Sequence, residues 1–380
     1  MELAEQFRGL GWMANRIRTA QPRPMNGIFV AIRVMNCTFA SGDSLAQATT
    51  DLLFAFPTNV SNLLHRRTVL KWAGSLPLAA SLAGETLPGT GLLASALAAA
   101  TSPDREAATV DGHVHVWKCH PRYPWAPETT NPPEGDATPE KLLDLMKGAG
   151  VQRTVIIQVI YYRWDNRYLA SVLKRYPQTF RGVARVNPED PAAPDHLSKL
   201  TEEDGFHGVR ISPEAGASGD WIRGPLMPAL WRRCRDLGVP MTVLAPVGRM
   251  PDVAKLAARF PDLTVVIDHM ASCPLHQPSE LEKLLALRHF PKVYVKISHS
   301  WTLSSQAYPY LDSQEQIRQL YDAFGPRRLI AATDWPLVEK YCSYSHAIDL
   351  ARSRIGFLNA EDKRWICART AEKVWPFRPV

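Results

Sequence analysis

From Pro103 onward the chain alternates short β-rich runs with helical stretches, and it does so eight times. The runs are Val110–Val116, Thr154–Val159, Arg181–Val186, Gly208–Ile211, Pro240–Leu244, Leu263–Asp268, Val293–Ile297 and Leu329–Ala332. Between them lie helical stretches over Lys141–Lys147, Asn166–Tyr176, Ala193–Glu203, Pro225–Leu237, Pro251–Phe260, Ser279–Arg288 and Gln314–Phe324. Tyr344–Ile355 and Ala360–Val374 close the chain. The first helix carries its own start signal, Thr138 as N-cap with Pro139 at the first position, and Gly148 as a stop. Unbroken apolar runs such as those within Thr154-Val-Ile-Ile-Gln158 and Thr264-Val-Val-Ile-Asp268 suit parallel strands buried on both faces. Eight such units predict an α/β fold of the (β/α)8 TIM-barrel class, which typically takes about 250 residues. A doubly wound sheet would have fewer units and a Gly-rich phosphate loop, and no G-x-G-x-x-G follows a strand here.

The first hundred residues read differently. His65-Arg-Arg-Thr-Val-Leu-Lys71 precedes the apolar stretch Trp72–Ala83, and small-residue A-x-A sites follow at Ala96–Ala98 and Ala98–Ala100. A basic head, an apolar stretch and such sites are the parts of a secretory signal, here of twin-arginine type. Residues 61–100 are therefore expected to address the protein to export machinery and the periplasm. The stretch is interrupted by Gly and Pro and is weak for a membrane span. Residues 1–60 show no sustained periodicity and are expected to be a disordered or non-native extension, with initiation near Val60. Residues 101–380 then form one barrel domain.

Charge narrows the partners. The net charge of +7 divides between eight Lys/Arg against five Asp/Glu in residues 1–100 and 36 against 32 in the rest. The basic residues are dispersed, so no nucleic-acid footprint is indicated. Six cysteines without a C-x-x-C pair, five of them after residue 100, read as buried free thiols.

In a barrel of this kind the C-terminal strand ends line the active-site mouth. They carry His113 and His115, Gln158, Arg185, Arg210, Asp268 and His269, His299, and Thr333-Asp334, while the strand bodies are apolar. His113 and His115 alternate on one strand and share a face. Two imidazoles there, with Asp334, can hold a metal. His269 can polarise a carbonyl or orient water. Arg210, in Gly208-Val-Arg-Ile-Ser212, is placed to clamp a carboxylate, with a structural ion pair as the competing reading. His299, Gln158, Tyr161, Tyr162 and Trp335 are candidate pocket walls, and His207 and His276 are read as incidental. Trp117, Trp125, Trp164 and Trp335 near loops point to a cyclic or aromatic ligand, with simple loop packing as the competing reading.

These residues resemble the amidohydrolase superfamily, in particular its amidohydrolase-related branch with lactonases. The resemblance spans residues 108–378 through Asp111-Gly-His-Val-His-Val-Trp117, Tyr123-Pro-Trp125, Asp165-Asn-Arg-Tyr-Leu169 and Phe180-Arg-Gly-Val-Ala184. It continues through Gly208-Val-Arg210, Asp262-Leu-Thr-Val-Val-Ile-Asp-His269, Val295-Lys-Ile-Ser298, Phe324-Gly-Pro-Arg-Arg-Leu329, Thr333-Asp-Trp-Pro336 and Thr370-Ala-Glu-Lys-Val-Trp375. It implies a hydrolase in which His113, His115 and Asp334 surround a metal or a hydrolytic water. Metal-dependent members add a His at the end of the fifth strand, where this chain has Val239-Pro-Met-Thr-Val-Leu-Ala-Pro-Val247. The expectation is one weakly held divalent ion, zinc or manganese, or metal-independent hydrolysis.

Asp334 then activates water against a lactone, His113, His115 and His269 stabilise the oxyanion, and Arg210 holds a substrate carboxylate. The expected partner is a small cyclic, carboxylated molecule. The alternatives are non-oxidative decarboxylation of an aromatic or muconate-type acid, and an exported binding barrel without catalysis.

Overall fold

The computed structural model describes residues 108–212 and 221–377. The signal segment and the N-terminal extension expected above lie outside the described residues.

Eight strands are present where the alternation places them: β1 Val110–Val114, β2 Arg153–Ile157, β3 Phe180–Arg185, β4 Val209–Ile211, β5 Met241–Val243, β6 Val265–Ile267, β7 Val293–Ile297 and β8 Leu329–Ala331. Each pairs in parallel with the next, in the order β1 to β8. The ring is drawn together by a bridge between Val114 and Trp335, with His115 N donating to Trp335 O (2.7 Å) and Asp334 N donating to His113 O (2.8 Å). Gly112 permits that approach, since a Cβ there would lie 2.3 Å from Ile330 Cγ2 and 2.9 Å from Ala331 O. The (β/α)8 barrel is the fold.

The helices are α1 Pro139–Ala149, α2 Arg167–Arg175, α3 Ala193–Glu202, α4 Met227–Leu237, α5 Met250–Arg259, α6 Pro278–Leu285, α7 Gln314–Phe324 and α8 Tyr344–Asp349. Thr138 caps α1 as expected, its hydroxyl accepting from Lys141 N. Its stop differs: α1 runs through Gly148, and Gly150 ends it at φ 66° with its N–H on Lys147 O and Met146 O. A left-handed residue satisfies the last carbonyls, and Gly adopts that conformation without a Cβ penalty. The two closing stretches are not uniform helices. α8 passes into a π turn at Leu350–Arg354, and a π turn at Trp365–Arg369 separates Ala360–Arg364 from Thr370–Val374.

Strand alternation sorts the core into two layers. Val293, Val295 and Ile297 of β7 face outward with Leu230, Trp231, Leu284, Ile317 and Leu320 of the helices. Tyr294 faces inward with Val155, Ile157, Val183, Val266 and Ile330, and Trp375 from the chain's end closes that inner layer. Burying each such side chain stabilises the fold by about 1.5–3 kcal/mol. The cysteine reading needs one correction: Cys234, Cys273 and Cys367 are buried free thiols, but Cys342 is half-buried and Cys119 is exposed. Cys119 sits in the β1–α1 loop, where Asp136 accepts its backbone N–H.

Candidate active site

Five ionisable side chains from four strand ends converge at the barrel mouth, all of them buried. His113 and His115 come from the end of β1 and direct their Nε2 atoms at each other, 3.3 Å apart. Asp334, after β8, places Oδ1 3.4 Å from His113 Nε2 and 3.3 Å from His115 Nε2. Its other oxygen, Oδ2, accepts from His299 Nε2 at 2.5 Å. His299 stacks on His269, the ring centroids 3.6 Å apart. His269 in turn pairs Nδ1 with Ser298 Oγ at 2.8 Å.

The backbone is bent to bring these groups together. His269, His299 and Asp334 follow β6, β7 and β8, and all three have positive φ, at 52°, 66° and 58°. A left-handed non-glycine residue costs about 1–3 kcal/mol and persists only where its surroundings hold it. Asp111 supplies part of that hold. Its carboxylate accepts from Thr333 N (3.0 Å), Thr333 Oγ1 (2.6 Å) and His113 N (3.2 Å), locking the residue before Asp334 to β1. Burial pushes Asp111 up to about 6 against these hydrogen bonds.

A second layer lies beneath. Asp268 Oδ2 accepts from Arg210 Nε at 2.9 Å, while Oδ1 lies 3.0 Å from Lys296 Nζ and 3.4 Å from His113 Nδ1. Burial alone would raise both aspartates. For Asp268, Lys296, His113 and Arg210 outweigh it and hold the carboxyl well below the usual range. For Asp334, the imidazoles of His299, His115 and His269 do the same. Burial holds His113 and His269 well below the usual imidazole value, so both are neutral at pH 7.

The donor set fits a metal ion. A tetrahedral zinc with bonds of about 2.0–2.1 Å keeps its ligand atoms about 3.3–3.4 Å apart. His113 Nε2, His115 Nε2 and Asp334 Oδ1 lie at those separations, and Asp334 Oδ1 is buried without a hydrogen-bond partner among the described residues. His115 is prepared for that role, because its Nδ1 lies 2.7 Å from Ile157 O, which only accepts. Nδ1 therefore carries a hydrogen, which in the neutral ring leaves Nε2 bare. Further His/Asp groupings, His113 with Asp268 and His269, and His269 with His299 and Asp334, overlap this one.

The remaining sequence candidates fall outside the cluster. Gln158 is buried and donates to Asp165 O at 2.6 Å, pinning the loop after β2. Tyr161 packs edge-on against Trp117 and Trp125, and Tyr162 stacks on Trp125. Trp335 is buried in the same apolar cluster. Arg210 adopts the ion-paired arrangement through Nε. Lys296 and Ser298 went unremarked as site residues, and the legible signal was a Lys inside the otherwise apolar Val293-Tyr-Val-Lys-Ile297.

The rim of this barrel gathers three imidazoles and a carboxylate at the β1–β8 seam and beside it. The chain belongs to the amidohydrolase family, whose model matches residues 110–377. It is 30% identical over 233 residues to an L-fucono-1,5-lactonase of Burkholderia ambifaria, covering 60% of this chain and 80% of that one. It is 27% identical over 242 residues to a 2-pyrone-4,6-dicarboxylate hydrolase of Comamonas testosteroni, covering 60% and 77%. Among solved structures, a Burkholderia multivorans amidohydrolase with bound zinc superposes at TM-score 0.60 with 20% identity, covering 72% of this chain and all of that one. A 5-carboxyvanillate decarboxylase of Sphingomonas paucimobilis shares the fold at TM-score 0.54 and 15% identity, covering 72% and 100%.

The hydrogen bond from His299 to Asp334 is expected to matter for turnover. One hydrogen bond to a charged group is worth about 1.5–3 kcal/mol, so His299→Ala should lower kcat about 10- to 100-fold with little change in KM. His299→Gln, which keeps a donor near the same place, should recover part of it. Steady-state kinetics of the two variants check this, and equal activity in His299→Ala and wild type would remove His299 from the site.

Proposed function

We propose that the protein hydrolyses a cyclic ester bearing a carboxylate. The observation that carries this reading is the asymmetry of Asp334: Oδ2 is held by His299, while Oδ1 faces His113 and His115 with no hydrogen bond of its own. A carboxylate kept ionised at neutral pH, with one oxygen committed and the other directed at two imidazoles, is arranged to take a proton from water. The water attacks the ring carbonyl, with His269 and the Nε2–H form of His113 beside the developing oxyanion; collapse of that intermediate breaks the ring C–O bond, and the leaving oxygen takes the proton held by Asp334. Arg210 is anchored on Asp268 through Nε, which leaves the Nη side of its fork to meet a substrate carboxylate. Both sequence relatives are named for lactone or pyrone substrates, and each of those rings is a cyclic ester.

His113, His115 and Asp334 are the residues that would hold one divalent ion, zinc or manganese. Such an ion supplies Lewis acidity to water or carbonyl. The ligand set lacks a fifth-strand histidine, since β5 and its following residues are Met241-Thr-Val-Leu-Ala245. We also read residues 61–100 as an export signal on the twin-arginine pattern, and fractionation of the native host would place the protein in the periplasm.

Purified protein should release acid from a panel of sugar 1,5-lactones and carboxylated pyrones. Ring-opened product and CO2 are measured in parallel, with and without chelator and readded metal. Acid release from the carboxylated rings in preference to the neutral ones is expected. CO2 without ring-opened acid, or no turnover across the panel, overturns the reading.

A further inference from the structure

We propose that Lys296 and Asp268 decide which ring nitrogen of His113 carries its hydrogen, and so whether His113 stands as a hydrogen-bond donor or as a metal ligand. The inference rests on the reading of His113, His115 and Asp334 as a ligand set, and it concerns the two charged side chains behind His113.

A neutral imidazole has one N–H and one bare nitrogen. His115 is settled by the Ile157 carbonyl, as described above. His113 is not. Its Nδ1 lies 3.1 Å from Lys296 Nζ, which offers hydrogens, and 3.4 Å from Asp268 Oδ1, which accepts them. Two arrangements are available. When Nδ1 accepts from Lys296, the ring hydrogen sits on Nε2 and points between His115 Nε2 and Asp334 Oδ1, 3.3 and 3.4 Å away. His113 is then a donor to whatever oxygen occupies the site, and it cannot bind a metal. When Nδ1 instead donates to Asp268 Oδ1, Nε2 is bare and completes the ligand set.

The two arrangements compete for one oxygen. Arg210 Nε occupies Asp268 Oδ2 at 2.9 Å, so Lys296 and His113 share Oδ1. Lys296 Nζ holds its place from below, 5.2 Å from the Trp375 ring centroid, and the side chain is wholly buried. Nδ1 lies nearer to Lys296 Nζ, at 3.1 Å, than to Asp268 Oδ1, at 3.4 Å, and on that difference the donor form of His113 is the one expected in the metal-free protein. A buried lysine is costly in a barrel interior where an apolar residue would pack. Control of the His113 hydrogen gives it a reason to be there. Groups behind a ligand that fix its tautomer change metal affinity by about 10- to 100-fold.

Lys296 is thus a positioning residue, and the decisive readout is the tautomer of His113. In metal-free wild-type protein, long-range 1H–15N correlation should find the His113 hydrogen on Nε2. In Lys296→Met only Asp268 remains beside Nδ1, so the hydrogen should move to Nδ1. Zinc affinity, titrated against a chelating indicator at fixed pH, should rise about 10- to 100-fold. His113→Ala should abolish the gain. A bare Nε2 in the wild type overturns the proposal, as does a folded Lys296→Met protein with unchanged tautomer or unchanged zinc affinity. The wild-type spectrum decides the matter even if Lys296→Met does not fold. Neither readout uses a substrate, so failure of the lactone panel leaves this result intact and points to the proposed reaction instead.

Discussion

Asp334→Asn is expected to lower kcat for ring opening by about 10²- to 10⁴-fold, the range supplied by a positioned general base. The substitution removes the charge and one acceptor while keeping the shape. Asn is also among the non-glycine residues that best tolerate the left-handed backbone at this position, where φ is 58°. The fold should therefore survive: the Asp334 N–H to His113 O bond that closes the barrel is a main-chain contact and is untouched. KM should change little, because Arg210, the proposed carboxylate anchor, reaches the site from β4. Kinetics together with a thermal melt test this. Near-normal hydrolysis by a folded variant would falsify the assignment of Asp334 as base.

The largest expected stability effect lies one layer down. Asp268→Ala would leave Lys296 and Arg210 buried without the carboxylate they share, 3.0 and 2.9 Å away in the wild type. Removing one partner of a buried ionic group costs about 3–5 kcal/mol, because the remaining charge is uncompensated. The effect has a pH signature. Asp268 is held well below the usual carboxylate range in the fold, chiefly by Lys296 and then His113 and Arg210, against the opposing push of burial. A depressed folded value contributes stability that is present above the unfolded value of about 3.9 and is lost as pH falls through the folded one. The gap between wild type and Asp268→Ala should therefore be full at pH 7 and shrink below about pH 4. Urea unfolding from pH 3 to 7 measures it. A gap under about 1 kcal/mol at pH 7, or one that widens in acid, contradicts the arrangement.

The two predictions separate what the two buried carboxylates do. Asp334 turns Oδ1 towards two imidazoles, whereas each oxygen of Asp268 lies against a cation, Oδ2 at 2.9 Å from Arg210 Nε and Oδ1 at 3.0 Å from Lys296 Nζ. Charge alone does not distinguish them, since both are buried strand-end aspartates with depressed values. Their partners do. His299 holds Asp334 through Oδ2 alone, while Lys296 and Arg210 lie against Asp268 from two sides.

Much of the architecture was legible before any coordinates. Apolar strand runs, Thr138 as a cap and the polar strand ends are local signals, each contained within a few residues. They were enough to name eight strands, the functional rim and His113, His115, His269, His299 and Asp334 as residues of the mouth. The helix stop was misplaced where a local signal had two possible readings. Gly148 and Gly150 both follow the same helix, and only the chain's actual path shows which one turns left-handed. Gln158 and Trp335 sit at strand ends like the histidines, and only the folded chain shows that one donates to Asp165 O and the other packs among apolar side chains.

The Asp111-to-His115 run with Asp334 determined by itself where the ionisable groups gather, because imidazoles and a carboxylate at the first and last strands of a closed ring must meet at its seam. Tertiary structure alone decided their internal assignments. Which aspartate is clamped, which oxygen stays uncommitted and which nitrogen of His113 carries hydrogen all depend on side chains separated by tens to hundreds of residues, such as Lys296 and His113 at 3.1 Å. Barrel closure sets those distances, and no periodicity or motif spacing along the chain encodes them.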